Sequence, residues 1–187
     1  MSSALEMPDG LLVDLAIGGD EKAFRELLRR YRERILAISL RMLKNKTEAE
    51  EAAQDSFVKI YFHLADFDKT RDFSAWAAGI TINECRDRLR KRSRSQKIFR
   101  EIGESDTDSQ QVLPNDEFAI RAKIEAVEIG IEQLPLKLRE ALVLRAYADY
   151  SYEEIAAILT IRIGTVMSRL HRARQRLIEI LKHGTEN

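Results

Sequence analysis

Five arginines lie between positions 162 and 176 with no acid among them: Arg162, Arg169, Arg172, Arg174 and Arg176. A guanidinium stays charged at physiological pH and presents a planar fork of donors, which fits a phosphate or the two acceptors on one edge of guanine. Around them Val166, Leu170, Ala173, Leu177 and Ile180 or Leu181 recur at helical spacing and mark a buried stripe. The opposite side then carries Thr165, Ser168, His171, Arg172 and Gln175, with Met167 near its leading edge and Arg162 in the turn before it. These donors and one apolar contact suit the major groove of duplex DNA. Arg162, Met167, Ser168, His171 and Arg172 are the candidate base readers, with Thr165 beside them. Arg169, Arg174 and Arg176 meet phosphates or neutralise carboxylates within the domain.

A second cationic block spans residues 81–100, where Arg86, Arg88, Arg90, Lys91, Arg92, Arg94, Lys97 and Arg100 face only Glu84 and Asp87, a local balance of +6. Before it, Phe57, Tyr61, Phe62, Phe67, Phe73 and Trp76 crowd into twenty positions around a polar loop, ADFDKTRD. Rings beside cations suit single-stranded nucleic acid, where bases stack and phosphates are neutralised, although most of these rings are expected in the core. A third surface is anionic. Glu51, Asp55, Val58 and Phe62 fall at i, i+4, i+7 and i+11, an acidic start followed by apolar groups that suits a basic partner helix; the plain alternative is a solvated face.

Helices must position all three surfaces. The chain has 187 residues with only 8 Gly and 3 Pro, a composition that favours helix almost throughout and an all-α fold. A short opening helix is stopped by Gly18-Gly19, and Asp20 caps a longer one carrying Phe24, Leu27, Leu28, Tyr31, Ile35, Ile38 and Met42 inward. Thr47 to Glu50 reads as a capping box opening a helix over 48–64, and a basic helix follows over 73–92. In the second half, Leu134-Pro135 opens a helix over 136–147. Ser151 to Glu154 reads as a further capping box for a helix of about eight residues. A turn at 160–164, containing Gly164, feeds the long basic helix. Short helix, tight turn, long cationic helix is the helix-turn-helix pattern.

Between the halves, residues 101–119 hold six acids and no base, with little apolar periodicity, and read as a flexible acidic linker. The expected organisation is a first domain over 10–96, a linker over 97–117 and a second domain over 118–184. About 20 linker residues reach ~66 Å at full extension, more than one turn of DNA, so the cationic surfaces can sit on separate segments of one duplex. The formal net charge of +0 conceals this arrangement.

At this point the residues match a family. LPLKLREALVLRAYADYSYEEIAAILTIRIGTVMSRLHRARQRL is similar to the fourth-region domain of bacterial sigma factors, particularly the extracytoplasmic-function (ECF) group. EAEEAAQDSFVKIY resembles the second-region helix that docks polymerase, and FSAWAAGITINECRDRLRKR resembles the helix that meets the −10 element. The resemblance implies a sigma factor that binds core RNA polymerase, through the β′ clamp helices and β flap, and directs it to promoter DNA by its −35 and −10 elements. It implies that Glu48, Glu51, Gln54 and Asp55 contact the clamp helices. The loop from Asp66 to Asp72, with Phe67, Lys69 and Arg71, would capture an unstacked base, and Asn83, Arg86, Arg90 and Lys91 would hold −10 DNA. The reading set for −35 DNA is Arg162, Thr165, Met167, Ser168, His171, Arg172 and Arg174. An anti-sigma factor is an implied partner. The chain departs from the pattern at Ala77 and Gly79, where the family usually has a larger aliphatic and a basic residue, and at Ile161-Arg162-Ile163, where proline is frequent.

Other classes fit less well. A free-standing helix-turn-helix regulator with a sensory first domain would bind DNA alone, and the acidic docking helix argues against it. No phosphate loop, metal cluster or catalytic triad pattern points to an enzyme, and no cofactor or metal is expected. There is no apolar run long enough for a membrane span and no secretion-signal pattern at MSSALEMPDGLL, so a cytoplasmic location without stable membrane insertion is expected. Cys85, the single cysteine, excludes an internal disulfide and reads as a buried small hydrophobe rather than a redox sensor.

Overall fold

In a computed structural model of the chain, residues 7–102 and 116–184 are described. Among them are eight α-helices and one 3-10 turn, with no strand. Helix α1 (Asp9–Ile17) ends at Gly18, and Gly19 takes the left-handed conformation (φ +91°) that reverses the chain. Helix α2 (Glu21–Leu43) starts as expected. The Asp20 carboxylate accepts hydrogen bonds from the Lys22 and Ala23 amides at 2.8 and 3.3 Å. Helix α3 (Lys46–Phe62) opens earlier than its expected box: Asn45, not Thr47, is the cap, its side-chain oxygen accepting from the Glu48 amide at 2.9 Å. Lys44, in a positive-φ turn (φ 65°), delivers Asn45 to that position and leaves Thr47 inside the first turn.

After a 3-10 turn (Leu64–Asp66) comes helix α4 (Phe73–Ile102), ten residues longer than its expected end at 92 and running into the stretch expected as linker. The remaining expected linker residues up to 115 lie outside the described residues. Helix α5 (Asp116–Gln133) leads into α6 (Leu136–Ala146), α7 (Tyr152–Leu159) and α8 (Ile163–Gly184). The Ser151–Glu154 capping box is present in both directions: the Ser151 hydroxyl accepts from the Glu154 amide at 3.2 Å, and the Glu154 carboxylate accepts from the Ser151 amide at 2.6 Å.

Two apolar clusters hold these helices. One lies wholly within the first half, where Leu12, Val13, Leu27, Ile35, Ile60, Leu64, Phe67 and Phe73 meet. The other crosses between the halves, joining Ile38, Met42, Ala78, Ile82 and Cys85 to Ala141, Leu144, Ile155, Val166 and Leu170. Helices α4 and α7 touch, as do α2 and α6. Helix α5 packs on α8 at Gly130, where a Cβ would stand 2.6 Å from Leu177 Cδ1 and the Leu177 side chain would have to shift. Glu26, on the expected scaffold helix, is buried and paired with Arg29 and Arg30; hydrogen bonds from Arg29, then Arg30, lower its pKa to about 2.

Cys85 sits fully inside the shared cluster, and burial pushes its thiol pKa up to about 12. A thiolate is the reactive form, so the native thiol is inert at neutral pH. Ellman's reagent at pH 8 is expected to leave Cys85 unmodified in the folded chain and to titrate one thiol in guanidinium; rapid native labelling would contradict the burial.

Candidate nucleic-acid interface

Helices α7 and α8 form the helix-turn-helix expected from sequence. Within the turn Thr160 adopts the left-handed conformation (φ 55°, ψ 50°), and Gly164 lies in the first turn of α8. Ile161 returns its amide to the Ala156 carbonyl at 3.0 Å, closing α7. Val166, Leu170 and Ala173 face the core, which turns Arg162, Met167, Ser168, His171, Arg172 and Arg174 outward. Met167 is 51% exposed, and Thr165 is half-buried at the rim. The Ser168 hydroxyl donates to the Thr165 carbonyl at 3.0 Å. Arg162, Arg172 and Arg174 have no ion-pair partner among the described residues, whereas Arg176 pairs with Glu179 at 3.0 Å. The outer face of α8 therefore presents uncompensated cations and hydrogen-bonding groups at the spacing of a groove-reading helix.

The surface around α4 is organised differently. Phe67 is only 6% exposed: its ring packs 5.5 Å from Phe73 and 4.9 Å from Trp76, centroid to centroid, so it anchors the loop from inside and cannot stack on an extruded base. Its apolar area is better hidden against two rings than held in water on a polar loop. Asp66 and Arg71 are exposed, with Asp66 3.4 Å from the His63 ring, and Lys69 pairs with Asp14 on α1. Asp68 accepts from the Thr70 hydroxyl and amide, which lowers its pKa and stiffens the loop. Asn83, Arg90 and Lys91 are exposed along α4, Arg90 standing 3.4 Å from Asp87. Arg86 is turned aside: its Nε and Nη2 donate to Glu140 at 2.5 and 2.7 Å, and its Nη1 donates to Asn83 at 2.9 Å. Arg86, Arg88 and Arg90 each meet an acid, so the local balance of +6 is reduced by internal pairing.

On α3, Glu51, Gln54 and Asp55 are exposed and Glu48 is half-buried. Beyond them Phe62 is 74% exposed, continuing the ridge with Val58. Sequence reasoning missed the group that organises the ridge. Arg88 of α4 donates to Glu51 at 3.1 Å, to Asp55, and to Glu84 at 2.8 Å. Burial opposes its charge, but the bonds to Glu84, Asp55 and Glu51 outweigh that and push its pKa up. Glu84, also held by Lys59 at 2.5 Å, has its pKa lowered: burial opposes ionisation, and the bonds from Lys59 and Arg88 prevail. The i, i+4 spacing of Glu84 and Arg88 was a readable signal for part of this cluster.

Residues 27–95 match the family described as Sigma-70 region 2, and residues 126–177 match Sigma-70, region 4. The chain is 33% identical over 171 residues to the ECF RNA polymerase sigma factor SigW of Bacillus subtilis, covering 88% of this chain and 91% of that one. It is 34% identical over 181 residues to the RNA polymerase sigma-H factor of Pseudomonas aeruginosa, covering 93% and 94%. The chain belongs to the ECF group of the sigma-70 family. Among solved structures, this sigma factor resembles CnrH in complex with the cytosolic domain of CnrY, with a TM-score of 0.72, 27% identity and coverage of 94% of this chain and 97% of that one. It also resembles the sigma factor RpoE in complex with the anti-sigma factor NepR from Bartonella quintana, with a TM-score of 0.70, 28% identity and coverage of 86% and 98%. No described helix of the sigma factor is long and apolar enough to cross a membrane.

The correction at Phe67 is open to measurement. Phe67→Ala is expected to cost the sigma factor about 3–5 kcal/mol in urea unfolding, the usual range for a ring removed from a packed core. A ring serving only as an exposed base platform would leave stability unchanged.

Proposed function

We propose that this ECF sigma factor uses Glu48, Glu51, Gln54 and Asp55 on α3 to dock the β′ clamp helices of core RNA polymerase, and α8 to read −35 promoter DNA. The sigma factor directs polymerase to its promoters; the residue assignments are the new element. The observation that carries the reading is the outer face of α8, where Arg162, Met167, Ser168, His171, Arg172 and Arg174 stand clear of the core. Arg172 is the assigned guanine reader, and Arg174 with Arg169 meets phosphate. Asn83, Arg86, Arg90 and Lys91 hold −10 DNA, while Asp66, Lys69 and Arg71 line the loop that receives an unstacked base. Phe67 supports that loop from beneath. Unstacking costs a few kcal/mol per step, and a loop that holds the extruded base lowers the open state relative to duplex, so melting proceeds without nucleotide hydrolysis by the sigma factor. The protein works in the cytoplasm, catalyses no bond change of its own and needs no cofactor. The β flap is the second polymerase contact. RpoE was solved with an anti-sigma factor, and a partner of that kind is extended here to this chain.

Run-off transcription tests the assignment. Transcripts from a cognate promoter are expected only when core polymerase and the sigma factor are both present; tight operator binding by the chain alone would instead indicate a free-standing regulator. Arg172→Ala is expected to cost ~1–3 kcal/mol at one base position of the −35 element, measured by competition among promoter variants. A uniform loss across all sequences would reassign Arg172 to phosphate.

A further inference from the structure

The acidic ridge of α3 is held from the neighbouring helix. Arg88 of α4 reaches across to it with a side chain only 17% exposed, and each of its three guanidinium nitrogens meets a different carboxylate. Nε donates to Glu84 at 2.8 Å, Nη1 donates to Glu51 at 3.1 Å, and Nη2 donates to Asp55. Glu84 is buried, and its second oxygen accepts from Lys59 Nζ at 2.5 Å, so both of its oxygens are occupied. The buried acid fixes the guanidinium plane. The guanidinium in turn fixes two acids that are themselves 59% and 55% exposed.

Glu51 and Asp55 stand four residues apart on one helix face, where like charges repel and their side chains swing apart in solvent. Arg88 reverses that by drawing both onto one cation. Each acid gives it a single oxygen, Glu51 Oε2 and Asp55 Oδ2, and the other oxygens, Oε1 and Oδ1, accept no bond from the described residues. Those two oxygens are left for an arriving cation. Exposed ion pairs add little to folding stability, so this three-way geometry has its consequence at the surface, where a partner docks. A partner that docks on free Glu51 and Asp55 has to immobilise both, whereas one that docks on the held pair finds them already ordered. Ordering two such side chains in advance is worth roughly tenfold in affinity. Charge alone acts in the opposite sense, because Arg88 cancels one negative charge of the ridge and weakens its pull on a basic helix.

Resting on the docking of polymerase by α3 given above, we propose that Arg88 is a positioning residue for that contact: anchored on Glu84, it holds Glu51 and Asp55 together and leaves one oxygen of each for the cations of a basic partner helix on core polymerase. Arg88 itself touches neither polymerase nor DNA. Lysine cannot stand in for it, since an ammonium carries the charge but not the planar fork that meets three carboxylates at once.

The test titrates the full chain into a fixed amount of core polymerase in the run-off assay, reading separately the concentration that gives half-maximal transcript and the plateau at saturation. Arg88→Ala and Arg88→Lys are both expected to raise the half-maximal concentration, by roughly tenfold for alanine, and to leave the plateau at the wild-type level. Adding Arg88→Ala to the double variant Glu51→Ala, Asp55→Ala is expected to raise it no further, since Arg88 acts through those two acids. If Arg88→Ala loses helix by circular dichroism, Arg88→Lys, which keeps a cation beside Glu84, decides the matter. An unchanged or lowered half-maximal concentration, a lysine variant equal to the wild type, a plateau that falls while the half-maximal concentration stays fixed, or losses that add to those of the acid variants would each overturn the positioning role. The acids separate the two ideas: Glu51→Ala, Asp55→Ala raising the concentration while the Arg88 variants do not sinks the positioning role alone, and acid variants indistinguishable from the wild type sink polymerase docking by α3 together with it.

Discussion

A carboxylate withdrawn from water must be met by a cation or lose its charge, and Glu140 of α6 meets its cation on the other half of the chain. Removing one partner of such a pair leaves an uncompensated buried charge, at a typical cost of 3–5 kcal/mol, whereas the intact pair contributes far less net stability than its geometry suggests. The Arg86–Glu140 contact is therefore better understood as a register device than as a source of cohesion. It ties α6, which packs on α2, to α4. Tyr150, in the loop between α6 and α7, does the same by giving its hydroxyl to the Ser74 carbonyl, and the cohesion comes from the apolar cluster that both contacts enclose.

Of the two α4 residues that depart from the family pattern, Ala77 packs in the cluster of the first half and Gly79 lies beside α7. Ala78, Gly79 and Ile82 turn a helix with a cationic far end into a smooth seat at its near end, against which α7 lies. A glycine inside a helix costs ~1 kcal/mol relative to alanine. A Cβ at that position would stand 3.7 Å from the Ile158 carbonyl oxygen, an ordinary van der Waals contact.

Much of this was legible in the sequence. The helical periodicity of Val166, Leu170 and Ala173 placed the outer face of α8 correctly, and the Ser151 and Asp20 caps stood where local hydrogen bonding demanded them. Local rules succeed there because a cap or a stripe is decided within a few residues. They failed where two local solutions compete: Asn45 forestalls Thr47 as the cap of α3. What the sequence could not carry was partnership over long separations. Nothing in the spacing of Arg88 points to Glu51 and Asp55 on another helix, nor of Arg86 to Glu140 fifty-four positions away. For the same reason Phe67, one of six rings in a crowded segment, was assigned outward when its neighbours enclose it.

The division of the cations then acquires a physical meaning. On α8, Arg162, Arg172 and Arg174 are left without acidic partners among the described residues, so their approach to DNA breaks no internal bond and is governed by the release of counterions. On α4, Arg86 and Arg88 already hold carboxylates, and any phosphate or polymerase group that engages them has to exchange with a bond of similar strength. Exchange of like for like changes the free energy little, so small differences in the arriving surface decide the outcome. A free cationic helix attracts any polyanion, whereas a pre-paired one discriminates in favour of a ligand that replaces every bond it breaks. The chain places the first kind of surface on its helix-turn-helix and the second along α4 and the acidic ridge of α3.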